Sequence, residues 1–182
     1  MAAAATSAII ACVGLPGSGK STIGRLLAKR LNVLFFDSDA VIERHIGCSI
    51  REFFEREGEQ VFRDLEQDVI NELTQNNGCI LSTGGGVVVR QANRDMLHQR
   101  CQVIYLHSAP EEIFRRLRHD QSRPLLQVAD RLAHLKKLYD LRDPIYREAA
   151  HFVVETGRPS VTTLVNMIVM QLELAGVVSA PG

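Results

Sequence analysis

The stretch GLPGSGKST (Gly14–Thr22) decides the architecture, because it places glycines, a lysine and two hydroxyls between an apolar run and a helical pattern. Gly14, Gly19, Lys20 and Ser21 fill the spacing G-x-x-x-x-G-K-[ST], in which glycines let successive backbone N–H groups converge on phosphate oxygens with no Cβ in the way. A helix opening at Lys20 turns its positive dipole end towards the same point, Lys20 can reach β- and γ-phosphates, and Ser21 is placed to ligate Mg²⁺. The plainer alternative is a glycine-rich βα turn with a chance lysine, and the strand before and helix after the loop argue against it. The loop names a ligand, a polyphosphate, and leaves the reaction open.

Working outward, short β-rich apolar runs occur at AIIACV (8–13), VLFFD (33–37), CILS (79–82), QVIYLH (102–107) and FVVE (152–155), each followed by helix-like sequence. Alternation of this kind predicts βαβ units and a five-stranded parallel sheet with helices on both faces. KSTIGRLLAKRL puts Ile23, Leu26, Leu27 and Leu31 on one stripe, and PEEIFRRLR opens with a proline followed by acids. Residues 38–78 are too many for one crossover helix and are broken at GCSI and EREGEQ, which predicts an inserted small helical subdomain. RHDQSRPLLQVAD (118–130) predicts a mobile loop over a site. The 182 residues, 46% of them apolar, are expected to form one domain.

Composition narrows the partners. Lys plus Arg and Asp plus Glu both number 21, so no basic field is available to hold a nucleic acid or an anionic membrane, and any anion must be caught locally. No apolar run approaches the ~18 residues of a membrane span. Cys12, Cys48, Cys79 and Cys101 include no C-x-x-C pair, which fits free thiols in a reducing compartment better than disulfides or zinc. The start lacks the basic segment of a secretion signal, and residues 1–7 are expected to be a loose tail. The six histidines show no ligand spacing and are assigned no role.

The acids and arginines suggest which phosphate chemistry is at hand. CILSTGGG ends its strand in Ser82 and Thr83, where a generic nucleotide hydrolase would carry its magnesium aspartate. Asp37 and Asp39 instead stand two apart at the end of the second strand, and in extended geometry both project towards the crevice at the strand carboxyl ends. One would steady the Mg²⁺ water shell and the other face an acceptor hydroxyl, although capping of the next helix is an alternative for either. Arg63 and Glu66 are i, i+3 on a helix, which reads as a guanidinium held in a fixed pose or as a solvated ion pair. Three glycines in STGGGVV allow close approach of a small polyol, or a tight turn. Arg63 and Arg142 together could grip a carboxylate, with Arg123 of SRPLL closing over the phosphates.

In this order GLPGSGKST, FFDSD, GEQVFR, TGGG, RPLL and LRDPIY resemble the shikimate kinase family along nearly the whole chain. The resemblance implies a P-loop, nucleoside monophosphate kinase-like α/β fold in three layers, with a five-stranded parallel sheet, a substrate-binding subdomain (38–78) and a lid (118–130). It implies ATP held by Gly17, Ser18, Gly19, Lys20, Ser21 and Thr22, with Lys20 and Arg123 catalytic on its phosphates. Mg²⁺ would be served by Ser21, Asp37 and Ser82. Asp39 would contact the shikimate hydroxyls and accept the proton of the attacking one. Arg63 and Arg142 would bind its carboxylate, Gly84, Gly85 and Gly86 would line its pocket, and Phe54 and Phe62 would floor it. Arg116, Arg158 and Pro159 stand where the family holds adenine. A cytoplasmic monomer acting on a small molecule is expected. The competing readings are a gluconate or nucleoside monophosphate kinase, an inactive nucleotide-binding module, and a nucleic-acid-dependent ATPase.

Overall fold

The computed structural model describes residues 6–118 and 130–179. Five strands, β1 (Ile9–Val13), β2 (Leu34–Asp37), β3 (Cys79–Ser82), β4 (Cys101–His107) and β5 (Phe152–Glu155), form one parallel sheet in the order β2-β3-β1-β4-β5. Central β1 is buried along its whole length, as a strand covered on both faces must be. Its side chains alternate between two cores. Ile9, Ala11 and Val13 join Val41, Ile70, Tyr105 and Tyr146 under α2 (Ser38–Ile46), α4 (Glu59–Leu73), α5 (Gln91–Arg100) and α7 (Arg131–Ala149). Ile10 and Cys12 join Leu27, Ile104, Leu164 and Ile168 under α1 (Lys20–Leu31) and α8 (Val161–Leu174). The result is a three-layer α/β/α sandwich. The strand order reverses beside β1, so the crevice expected of such sheets opens at its carboxyl end, where Gly14 begins the glycine loop.

Residues 38–78 carry three helices, α2, α3 (Ile50–Glu57) and α4. Gly47 caps α2 in the left-handed region at φ 69°, and Gly58 at φ 85° separates α3 from α4. The short α3 has no fully buried residue and relies on a capping box, Ser49 Oγ accepting from the Glu52 N–H at 3.2 Å while Glu52 Oε2 accepts from the Ser49 N–H. α6 (Pro110–Leu117) leads from β4 towards the segment expected to form the lid; residues 119–129, Arg123 among them, lie outside the described residues. Nineteen-residue α7 contains Pro144.

Two expectations are corrected. The tail is not loose through residue 7: Thr6 Oγ1 donates to Val177 O at 2.8 Å, and Ser7 O accepts from the Gly78 N–H at 3.0 Å, which extends the hydrogen bonding of the sheet end. Nor does the second strand carry both aspartates, because β2 stops at Asp37 and Asp39 lies in the first turn of α2. All four cysteines are free, and burial pushes the Cys12 thiol up to about 12. No helix among the described residues is long and apolar enough to cross a membrane.

Candidate active site

The glycine loop links β1 to α1 and is shaped by close packing. Gly17 has φ 85°, and a Cβ there would lie 2.2 Å from Leu117 Cδ1, so α6 presses directly on the loop. Lys20 is buried, and its ammonium donates to Gly14 O at 2.8 Å and to Leu15 O at 2.9 Å. Gly17, Gly19, Lys20, Ser21 and Thr22 line a single cleft of about 1260 Å³. Ser18 does not: it is fully buried, and its N–H bonds to Leu15 O at 3.1 Å.

Next to the lysine, three hydroxyl or carboxylate groups converge from the first turn of α1 and the ends of β2 and β3. Ser21 Oγ donates to Asp37 Oδ2 at 2.8 Å and lies 3.3 Å from Ser82 Oγ. The other oxygen of Asp37 caps α2, accepting from the N–H groups of Asp39 and Ala40 at 3.0 and 3.2 Å, so the capping alternative is met for Asp37 while Oδ2 stays with Ser21. Such hard oxygen donors suit Mg²⁺, which keeps several waters and takes the rest of its shell from phosphate. Among the described residues no group of three or more His, Cys, Asp or Glu could enclose a metal by itself.

Further along the cleft stand Asp39, Arg63, Glu66, Gly84, Gly85, Gly86, Phe54, Phe62 and Arg142. Arg63 Nη1 donates to Glu66 Oε1 at 2.8 Å, with the two side chains only 12% and 1% exposed, so the solvated ion pair is ruled out in favour of a fixed guanidinium. Burial raises the Glu66 carboxyl, opposed by the charges of Arg63 and then Arg142, which places both guanidiniums within electrostatic reach of one carboxylate. Asp39 is pushed up to about 6, first by burial, then by the neighbouring charges of Asp37 and Glu66, against the pull of Lys20. A carboxyl held there can take up and give back a proton near neutral pH. Phe62 is buried and its ring lies 5.6 Å from that of half-exposed Phe54, an apolar floor.

The three glycines are explained by close approach. A Cβ on Gly84 would sit 2.6 Å from Asp39 Oδ1, one on Gly85 2.8 Å from Pro16 Cδ, and one on Gly86 2.5 Å from both terminal nitrogens of Arg63. Gly84 N–H donates to buried Ser38 Oγ at 3.0 Å, and Thr83 Oγ1 donates to Cys12 O at 2.9 Å, so the loop is tied to α2 and to β1.

Arg116 on α6 reaches the glycine loop from the other flank. Its Nη1 is 3.5 Å from Gly17 O, and its Nη2 donates to Ser108 Oγ at 3.2 Å and lies 3.4 Å from Thr156 Oγ1. Ser108 and Thr156 are buried, hydrogen-bonded to each other, and unanticipated from the sequence; their place just after β4 and β5, at the crevice edge, is the signal that was available. Arg158 and Pro159 lie in the loop before α8 and do not line the cleft. Glu43, Ser49, Ile50, Arg51, Glu55 and Glu59 complete its rim and were also unanticipated, since the fold of α2–α4 decides which of their faces turns inward.

Comparison with known proteins agrees with this geometry. The family model for shikimate kinase matches residues 16–173. A shikimate kinase of Paracidovorax citrulli is 60% identical over 168 residues, covering 91% of this chain and 92% of its own, and one of Burkholderia thailandensis is 54% identical over 169 residues, covering 93% and 92%. The structure of a shikimate kinase from Acinetobacter baumannii in complex with shikimate superposes with a TM-score of 0.88 at 43% identity, covering 94% of this chain and 95% of that one. With the match spanning nearly its whole length, the chain belongs to the shikimate kinase family of ATP-dependent kinases.

Proposed function

We propose that this cleft transfers the γ-phosphoryl group of MgATP to the 3-hydroxyl of shikimate, giving shikimate 3-phosphate and ADP on the route to chorismate and the aromatic amino acids. One observation carries the reading: the glycine loop and a two-arginine carboxylate grip line the same cleft, with Asp39 lining it too. Arg63, fixed by Glu66, and Arg142 hold the shikimate carboxylate, while Gly84–Gly86 let the ring lie against backbone and Phe54 and Phe62 floor it. Asp39 accepts the proton of the attacking hydroxyl as its oxygen bonds to the γ-phosphorus and the bridge to the β-phosphate breaks. Loop N–H groups, Lys20 and Arg123 take the charge spreading over the transferring oxygens. Ser21, Asp37 and Ser82 would hold Mg²⁺ and its waters, and the ion would supply charge neutralisation to the phosphates. Arg116, beside the glycine loop, serves adenine, whereas Arg158 and Pro159, which the resemblance assigns to it, stand outside the cleft.

In this reading α2–α4 form the acceptor-binding subdomain of a single domain, and residues 118–130 a lid that limits wasteful hydrolysis by excluding water. The enzyme works as a cytoplasmic monomer without nucleic acid. A coupled ADP-release assay comparing shikimate, gluconate and nucleoside monophosphates tests the proposal; preference for any acceptor other than shikimate overturns it. Two variants probe the grip. Arg142→Ala should raise the shikimate KM by about 30-fold, the order of ~2 kcal/mol expected for a charged hydrogen-bonding partner, with the ATP KM within twofold. An unchanged shikimate KM removes Arg142 from the clamp. Gly86→Ala adds a Cβ without backbone strain, since φ is −92°, yet forces the Arg63 head aside. It should lower kcat/KM for shikimate by about tenfold and leave ATP binding intact, as checked by titration.

A further inference from the structure

The helix carrying Arg142 is continuous, but its hydrogen-bond ladder has a gap beside that residue. Pro144 has no N–H to give to Asp140 O, so α7 lacks a backbone bond within the turn that presents the guanidinium. Two tyrosine hydroxyls act on the residues flanking that gap. Tyr105 of β4 donates to Asp143 Oδ1 at 2.8 Å, and Tyr146 of α7 donates to Gly85 O at 2.6 Å. Both residues are buried and their rings stack, with centroids 5.0 Å apart at 29°. A third tie stands one turn earlier, where the Tyr139 hydroxyl pairs with His107 Nε2 at 2.8 Å while His107 Nδ1 pairs with Glu155 Oε2 at 2.6 Å. Residues 139, 143 and 146 share one stripe of α7, so the ties hold a single face of the helix.

We propose that Tyr105 and Tyr146 are positioning residues for the acceptor, pinning α7 on both sides of Pro144 and thereby setting Arg142 and the Gly84–Gly86 loop in one register. The inference rests on the function proposed above. Tyr146 makes the link direct, because it sits one turn beyond Arg142 and its bond ends on Gly85 O, in the Gly84–Gly86 loop that lines the cleft. Simple core packing would need only the rings. The hydroxyls add direction: that of Tyr105 ties β4 to α7, and that of Tyr146 ties α7 to the Gly84–Gly86 loop while also hydrogen-bonding the Arg142 side chain itself.

Tyr146→Phe and Tyr105→Phe keep the rings and delete the ties. Each should raise the shikimate KM about five- to tenfold, with the ATP KM within twofold and kcat within threefold. In an Arg142→Ala background, Tyr146→Phe should add less than twofold, because the group it positions is gone. Val169→Ala, in the core under α1 and α8, serves as a control that lowers Tm without touching α7, and should move neither KM. Hydrogen exchange on the free protein should quicken at amides 84–88, 141–143 and 145–149 in Tyr146→Phe and not in Val169→Ala. Shikimate KM values unchanged within twofold in both tyrosine variants, full multiplication with Arg142→Ala, or the same rise in Val169→Ala would overturn the proposal. A wild-type protein that ignores shikimate counts against the functional reading alone; the exchange measurement then decides the ties, and unaltered exchange at 84–88 overturns them.

Discussion

Asp39→Asn should lower phosphorylation of shikimate by about 10²–10⁴-fold, the range for loss of a positioned general base, while ATP still binds. The same change should make the protein more stable above pH 7. Asp39 rises from an ordinary 3.8 to about 6 in the fold, so the native state holds this proton more tightly than the unfolded chain does. A carboxyl shifted in that direction destabilises the fold once both states are ionised, contributes nothing below about pH 3.8, and costs progressively more as pH climbs from 3.8 through 6. The full shift corresponds to at most about 3 kcal/mol, and solvent at the half-buried carboxyl reduces it. Thermal melts should therefore show Asp39→Asn ahead of wild type by several degrees at pH 8 and level with it near pH 4. Wild-type kcat/KM for shikimate should climb with pH and level off above about 6 as Asp39 of the free enzyme ionises. A variant that retains most of its turnover takes Asp39 out of the chemistry, and equal Tm values at pH 8 remove the burial cost.

Lys20→Ala should reduce kcat by about 10³-fold, on the order of 4 kcal/mol of transition-state stabilisation. The ammonium is packed at the base of the loop, bonded to two of its carbonyls, and those bonds keep it desolvated and within reach of the phosphates. Its loss also removes the positive charge that holds Asp39 down, so what activity remains should need a higher pH than in wild type. Single-turnover measurements at saturating ATP separate the two effects. Turnover within tenfold of wild type would show that the loop's backbone groups suffice.

The glycine loop was legible because its spacing and its flanks agreed, and the strand runs because short β-rich segments alternate with helical periodicity. What resisted reading depended on partners distant in sequence. Asp37 and Asp39 both line the cleft, but not from one extended strand as the sequence suggests, because the Asp37 side chain starts a helix at the next residue. Glu66 could be seen as the i+3 partner of Arg63, but its burial is imposed by the packing of α4 and leaves no local mark. Tyr146 resembles any core aromatic, since Gly85 lies 61 positions away. His107 has no histidine at ligand spacing, so no local pattern marks it, although the fold sets it between Glu155 and Tyr139. Arg158 and Pro159 rested on the resemblance alone, and neither reaches the cleft wall among the described residues.

Because one uninterrupted cavity of about 1260 Å³ runs from Lys20 to Arg142, a single molecule could occupy both halves. A cyclohexene carboxylate tethered to a nucleotide through a short phosphate spacer would meet its second subsite at millimolar effective concentration, and such bivalent inhibitors can gain 10²–10⁴ in avidity over either fragment.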